Sequence, residues 1–193
     1  NSGGNRKDRP GCERNMVRAV REEFPDTTFH VDCNSAYTLA DLDMFRELDR
    51  YDLAMIEQPL MHDDIVDHAE LQAAIRTPVC LDESVTSADK ARKAAKLNAC
   101  RFVNIKHGRV GGITNALEIH DVCRKAGIAN WAGGMAESAL GQRFALALAT
   151  LPNFSYPADI FPTDRFYAQD LSAPAMRSEE HTSEIQSQNT ISY

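Results

Sequence analysis

Asp32, Glu57, Asp82 and Lys106 lie 25, 25 and 24 positions apart, and each closes a short apolar run, at residues 29–32, 53–57, 79–82 and 102–106. A single acid at the end of such a run is ordinarily a solvated loop residue or a helix cap. Three at a near-constant interval reverse that reading, because carboxylates gathered at one edge repel one another unless a cation stands between them. A hard divalent ion, Mg²⁺ or alternatively Mn²⁺, takes oxygen ligands of this kind and keeps positions open for water or substrate. A lysine beside such an ion is expected to give up its proton more readily, since a like charge disfavours the ammonium, and can then accept one. The chemistry implied is removal of a proton α to a carboxylate, with the metal absorbing the charge that builds on the oxygens.

The interval also sets the architecture. Between consecutive runs lies a stretch patterned as helix, and a strand followed by a helix every 25 residues or so is the repeat of a parallel sheet. In barrels of that kind the C-terminal strand ends carry the chemistry. Residues 13–24 read as a helix with Met16, Val17, Val20 and Phe24 on one side, stopped by Pro25-Asp26. Thr38 to Asp41 has the form of a capping box, opening a helix whose Leu42, Phe45 and Leu48 face inward. Residues 68–75 form a short helix ended by Thr77-Pro78, and Ser87 caps a helix that runs to Leu97. Gly108, Gly111 and Gly112 turn the chain into a helix over 113–126, which Gly127 closes. A fifth strand at 128–131 leads to Gly133-Gly134-Met135-Ala136-Glu137-Ser138, a helix to Leu151, and a last strand near 154–156.

That makes about six βα units in 193 residues, where a complete eight-unit barrel needs roughly 200 to 250. The expected fold is α/β, a partial TIM-like barrel over residues 12–171. Residues 1–11, polar and glycine-rich, are expected to be disordered or a damaged strand remnant, and residues 172–193 a disordered tail. From Arg177 to Ser187 the tail also resembles the translation of a common short-read sequencing adapter, with Ile185 in place of leucine; on that reading residues 177–193 are not natural protein sequence.

The formal charge of −7 is spread along the chain, and no basic stripe with interleaved aromatics argues for nucleic acid as a partner. No apolar stretch approaches the roughly 18 to 20 residues that span a bilayer, and the first residues lack an apolar signal core, so no membrane association and a cytoplasmic location are expected. Cys12, Cys33, Cys80, Cys100 and Cys123 show no C-x-x-C spacing and read as buried reduced thiols. His30, His62, His68, His107, His120 and His181 have no mutual spacing suited to a metal pair and read as surface or packing residues. Of these His107, directly after Lys106, is the one worth testing. Trp131 reads as core.

Five segments taken in order resemble a known group: Val31-Asp32-Cys33-Asn34-Ser35-Ala36-Tyr37; Ile56-Glu57-Gln58-Pro59-Leu60; Leu81-Asp82-Glu83-Ser84; Val103-Asn104-Ile105-Lys106 with Gly108-Arg109-Val110-Gly111-Gly112; and Gly133 to Ser138. They are similar to the muconate-lactonizing subgroup of the enolase superfamily, most of all to o-succinylbenzoate synthases and N-acylamino acid racemases, over residues 6–171. The resemblance implies that Asp32, Glu57 and Asp82 bind Mg²⁺ and that Lys106 is the acid/base on one face of a small carboxylate substrate. It implies that Asn34 and Glu83 support the ligands from beside them, though turn and cap hydrogen bonding accounts for both residues equally well. Gly134, Met135 and Glu137 would line the substrate end of the pocket, with Arg109 and Asn104 as weaker candidates. A full-length member is expected to form a homo-oligomer.

The chain departs from the pattern upstream. The family's Lys-x-Lys pair, aligned on Pro10-Gly11, is here Lys7-Asp8-Arg9, and guanidinium stays protonated at any usable pH. Arg9 can stabilise charge but can hardly take a proton, and the lid domain and first barrel strand of the family are not evident in residues 1–6. Dehydration by a synthase can use one acid/base group, whereas racemisation needs one on each face. Other readings stay open: a cycloisomerase or dipeptide epimerase of the same subgroup, or an inactive fragment or non-catalytic scaffold, since six strands cannot close an eight-stranded barrel.

Overall fold

The structure is a computed structural model that describes residues 12–176; Lys7, Arg9, His181 and the tail from Arg177 lie outside the described residues. The described chain is α/β, with five short strands and six α-helices. It falls into two compact units, one ending at Ser84 but including Lys93–Phe102, the other made of Val85–Arg92 and the chain from Val103 onward.

In the first unit, helix α1 (Cys12–Glu23) precedes strand β1 (Val31–Asp32), helix α2 (Leu42–Leu48), strand β2 (Ile56–Glu57), helix α3 (Ile65–Ala74) and strand β3 (Val79–Leu81). The three strands are parallel, with Asp32 opposite Glu57 and Glu57 opposite Cys80. Backbone pairing continues past the strand limits: the Ala54 N–H donates to the Phe29 carbonyl at 3.0 Å, and the Ser35 N–H to the Gln58 carbonyl at 2.8 Å. The strands read at 29–32 and 53–57 are therefore paired over more than their two regular residues. Between them, the capping box at Thr38 and Asp41 opens a 3₁₀ turn that runs into α2, and Phe45 and Leu48 of α2 are fully buried.

Two helix expectations need correction. Val17 is buried in α1, but Met16 and Phe24 are 52% and 55% exposed, so the apolar face is narrower than the four-residue stripe read from the sequence. Helix α3 starts at Ile65, three residues before the expected His68, because the Asp64 carboxylate accepts the Asp67 N–H at 2.9 Å and caps it. It ends before Ile75, which is already extended.

Arg21 fastens the end of α1. Its guanidinium donates to the carbonyls of Tyr51, Pro25, Thr27 and Asp52 at 2.8–3.1 Å and stacks over the Phe29 ring.

In the second unit, strand β4 (Phe102–Asn104), most of which lies here, is followed by helix α5 (Ile113–Ala126), strand β5 (Ala129–Trp131) and helix α6 (Ala139–Ala149). Helix α4 (Ala88–Leu97) and β4 carry the chain between the units. The turn into α5 needs its glycines, since Gly111 and Gly112 have φ of 85° and 114°, and Gly127 closes the helix at φ 72° as expected. The strand expected near 154–156 is only a single bridge between Asn130 and Phe154. Pro152 and Pro157 bracket that segment and contribute no N–H, leaving too few donors for a ladder.

The chain also does not come loose at residue 171. The Leu140 N–H donates to Ser172 Oγ, Arg143 to the Pro174 carbonyl at 2.7 Å, and the Thr163 N–H to the Met176 carbonyl at 3.0 Å, so residues 172–176 are bound to the second unit. Cys33, Cys80, Cys100 and Cys123 are free and buried, and Trp131 is in the core, as read.

Candidate active site

In the first unit the parallel register sets the acids. Asp32 and Glu57 are direct partners, and Asp82 lies two residues beyond Cys80, the partner of Glu57. Side chains alternate along a strand, so these three carboxylates belong to one face of the sheet. Glu57 and Asp82 are 2% and 1% exposed, and Asp32 is half-buried.

Asn34 acts through its backbone. Its N–H donates to Asp32 Oδ1 at 2.9 Å, from a turn in which Asn34 and Ser35 have φ of 45° and 61°. The Asn34 side chain is exposed; Glu83 is half-buried beside Asp82.

One residue read from the sequence as surface or packing lies beside the acids. His30 Nε2 stands 3.5 Å from Glu57 Oε2. Its position two residues before Asp32, on the same strand face, was the available signal.

Among the described residues no group of three or more His, Cys, Asp or Glu side chains is assembled as a metal site. The donor set nevertheless fits a hard divalent cation: three carboxylates on one face, two of them almost fully buried.

In the second unit Lys106 follows β4, and its carbonyl accepts the N–H groups of Arg109 and Val110 at 2.9 and 3.1 Å. The next residue, His107, places Nε2 3.7 Å from Glu137 Oε1. Both side chains are nearly buried. Burial pushes the Glu137 carboxyl above its ordinary value, against the opposing pull of His107, the Met135 backbone and Lys106.

Glycine makes this arrangement fit. A Cβ on Gly141 would approach Glu137 Cβ to 2.9 Å, and one on Gly133 would collide with the buried Asn104 side chain, whose Oδ1 accepts the Gly133 N–H at 2.8 Å. Gly134 is equally confined, against the Asp159 carbonyl. Met135 is 42% exposed. Glu137, Lys106 and His107 are thus neighbours, while Gly134 is packed by the 159–161 segment. No helix among the described residues is long and apolar enough to cross a membrane.

The family described as enolase C-terminal domain-like matches residues 3–187. The chain is 48% identical over 168 residues to an o-succinylbenzoate synthase of Geobacillus kaustophilus, covering 87% of the chain and 45% of that protein. It is 50% identical over 173 residues to an N-succinylamino acid racemase of Amycolatopsis, covering 89% of the chain and 47% of that protein. A solved enolase superfamily structure from Enterococcus faecalis V583 superposes with a TM-score of 0.83 at 44% identity, over 89% of the chain and 46% of the other. The chain spans less than half the length of the curated relatives it matches.

Proposed function

The chain belongs to the enolase C-terminal domain-like family, and from that premise we propose that its protein removes a proton α to the carboxylate of a small substrate, as an o-succinylbenzoate synthase or an N-succinylamino acid racemase. The observation that carries this reading is the pairing of Asp32 with Glu57 in neighbouring parallel strands, with Asp82 on the same face. Those three carboxylates would hold Mg²⁺, or Mn²⁺ in its place. The ion would supply a Lewis acid for the charge that develops on the substrate carboxylate.

Every other task falls to groups of the chain itself. Lys106 Nζ takes the α-proton. The Asn34 N–H keeps Asp32 Oδ1 turned to its position, and Glu83 supports the third strand end. Glu137, with Gly134 and Met135, borders the substrate, and burial raises its carboxyl above the ordinary value. Arg9, where the family carries a lysine, keeps its proton and so serves only as a fixed positive charge. One working base favours the synthase outcome over racemisation.

The test is exchange of a substrate α-proton with deuterated water, followed by NMR on an N-succinylated amino acid with Mg²⁺ present. Exchange should fall about 10²- to 10⁴-fold in Lys106→Ala. The reading is overturned if no exchange occurs even in a protein extended N-terminally to the length of its relatives and carrying Arg9→Lys.

A further inference from the structure

Gln58 is fully buried, and its backbone lies in the left-handed region at φ 36°, a conformation that a non-glycine residue holds only when its surroundings impose it. Those surroundings are four side-chain hydrogen bonds. Gln58 Oε1 accepts the N–H of Asp82 at 2.9 Å and that of Ser84 at 3.2 Å; Nε2 donates to Ser84 Oγ at 2.7 Å and to the Leu60 carbonyl at 3.1 Å. Its own N–H donates to the Cys80 carbonyl at 2.8 Å, and its carbonyl accepts the Ser35 N–H at 2.8 Å. One residue therefore touches all three strand ends of the first unit, at Ser35, at its own position after Glu57, and at Asp82.

Behind it stands His68 of α3, also fully buried. The Leu60 N–H donates to His68 Nε2 at 3.2 Å, so the proton resides on Nδ1, which faces the Asp64 carbonyl, and Gln58 Nε2 lies 3.5 Å from the same Nε2. Helix and clasp form one buried polar network, in which every bond of Gln58 has its partner.

We propose that Gln58 is the positioning residue that fixes Asp82 relative to Glu57, and so sets the spacing of two carboxylates toward a divalent cation; this rests on the reading of both as metal ligands. Gln58 follows Glu57 directly and holds the main chain of Asp82 itself, whereas β3 ends at Leu81 and its ladder no longer guides the next residue. The side chain continues the register where the backbone stops.

The test uses the 193-residue chain and Gln58→Asn, which tolerates the left-handed backbone but is one methylene too short to reach. Amide hydrogen exchange, measured by NMR without metal, should quicken about tenfold or more at Asp82 and Ser84. The Kd for Mn²⁺, measured by electron paramagnetic resonance, should rise about 10- to 100-fold. Asp49→Ala, which removes a staple elsewhere in the first unit, should leave Mn²⁺ affinity unchanged. If Gln58→Asn does not fold, Ser84→Ala, which takes one acceptor from Gln58 Nε2, must move both readouts in the same direction. Unchanged exchange at both amides overturns the proposal, as does faster exchange with Mn²⁺ affinity intact. A wild-type chain that binds no Mn²⁺ overturns the metal reading instead, and the exchange rates alone then decide what Gln58 positions.

Discussion

In the first unit the chemical groups stand where strand register puts them, with Asp32 opposite Glu57 and Asp82 two residues past Cys80. In the second unit Lys106, His107 and Glu137 are brought together by loops, and the packing around them depends on glycines that leave no room for a Cβ, Gly141 against Glu137 and Gly133 against Asn104. The first arrangement repeats with the chain and is carried by backbone pairing. The second is particular to its loops and is carried by side-chain packing. Damage should therefore act differently: on charge and metal in the first unit, on proton transfer and packing in the second.

The sharpest way to break this contrast is to remove one charged group from each unit. Glu57→Gln should abolish both Mn²⁺ binding and α-proton exchange, because it removes the negative charge of one of the three carboxylates proposed to hold the ion. Lys106→Ala should lower exchange about 10²- to 10⁴-fold, as expected for loss of a general base, and leave Mn²⁺ affinity unchanged. Spin-resonance titration beside NMR exchange separates the two. If Lys106→Ala also loses the metal, the division of labour between the units is wrong.

Packing gives the next largest effect. Gly133→Ala forces a methyl group into the Asn104 side chain, and overpacking of this kind costs about 1–3 kcal/mol. Thermal melts should show it, whereas an alanine tolerated without a change in Tm would mean that Asn104 can move. This difference also marks what was legible in the sequence. The acids at Asp32, Glu57 and Asp82 could be read because a strand end recurs with a fixed period, and Gly127 because a helix end has a local signature. Gln58 and the Gly133 contact could not, since each depends on a partner 24 or 29 residues away that only the folded chain supplies. The missing sixth strand was misread for the opposite reason: Phe154 and Tyr156 have strand character, but the flanking prolines remove the donors.

A smaller effect sharpens the picture of the first unit. Asp49 Oδ1 accepts from the N–H and hydroxyl of Thr77 at 2.8 and 2.6 Å, and Oδ2 from the Arg76 N–H at 2.9 Å. Burial raises its carboxyl pKa, but these bonds outweigh burial and hold it below its ordinary value. A depressed carboxylate adds stability that is present above the unfolded value and is lost as pH falls through the folded one. Asp49→Ala should thus cost about 1–3 kcal/mol near neutral pH, with a gap in urea midpoint that narrows below the ordinary carboxylate value of 3.8. A gap independent of pH would mean that the ionised carboxylate is not what counts.

The smallest expected effect is at Asp170, and it separates the units by how each caps a helix. Helix α3 of the first unit is capped locally, Asp64 accepting the N–H of Asp67 three residues on. Helix α6 of the second unit takes its carboxylate from 31 residues away, where Asp170 accepts the Ala139 N–H at 3.0 Å and ties in Ser172 through its N–H and hydroxyl at 2.8 and 2.9 Å. The Thr163 hydroxyl, followed by Ser172 and Ala139, outweighs burial and pulls the Asp170 carboxyl down to about 2. Its negative charge at a helix N-terminus is favourable besides. Asp170→Asn keeps the shape and one acceptor oxygen, so only the charge and one oxygen are lost. Tm should fall slightly at neutral pH, and the difference from wild type should close as pH drops from 3.8 toward about 2, where Asp170 itself becomes neutral. Exchange at the Ala139 and Leu140 amides should quicken while the amide of Asp67 in α3 does not. If instead both helix starts loosen together, the two caps report one shared stability, and the separation of the units into independently supported parts does not hold.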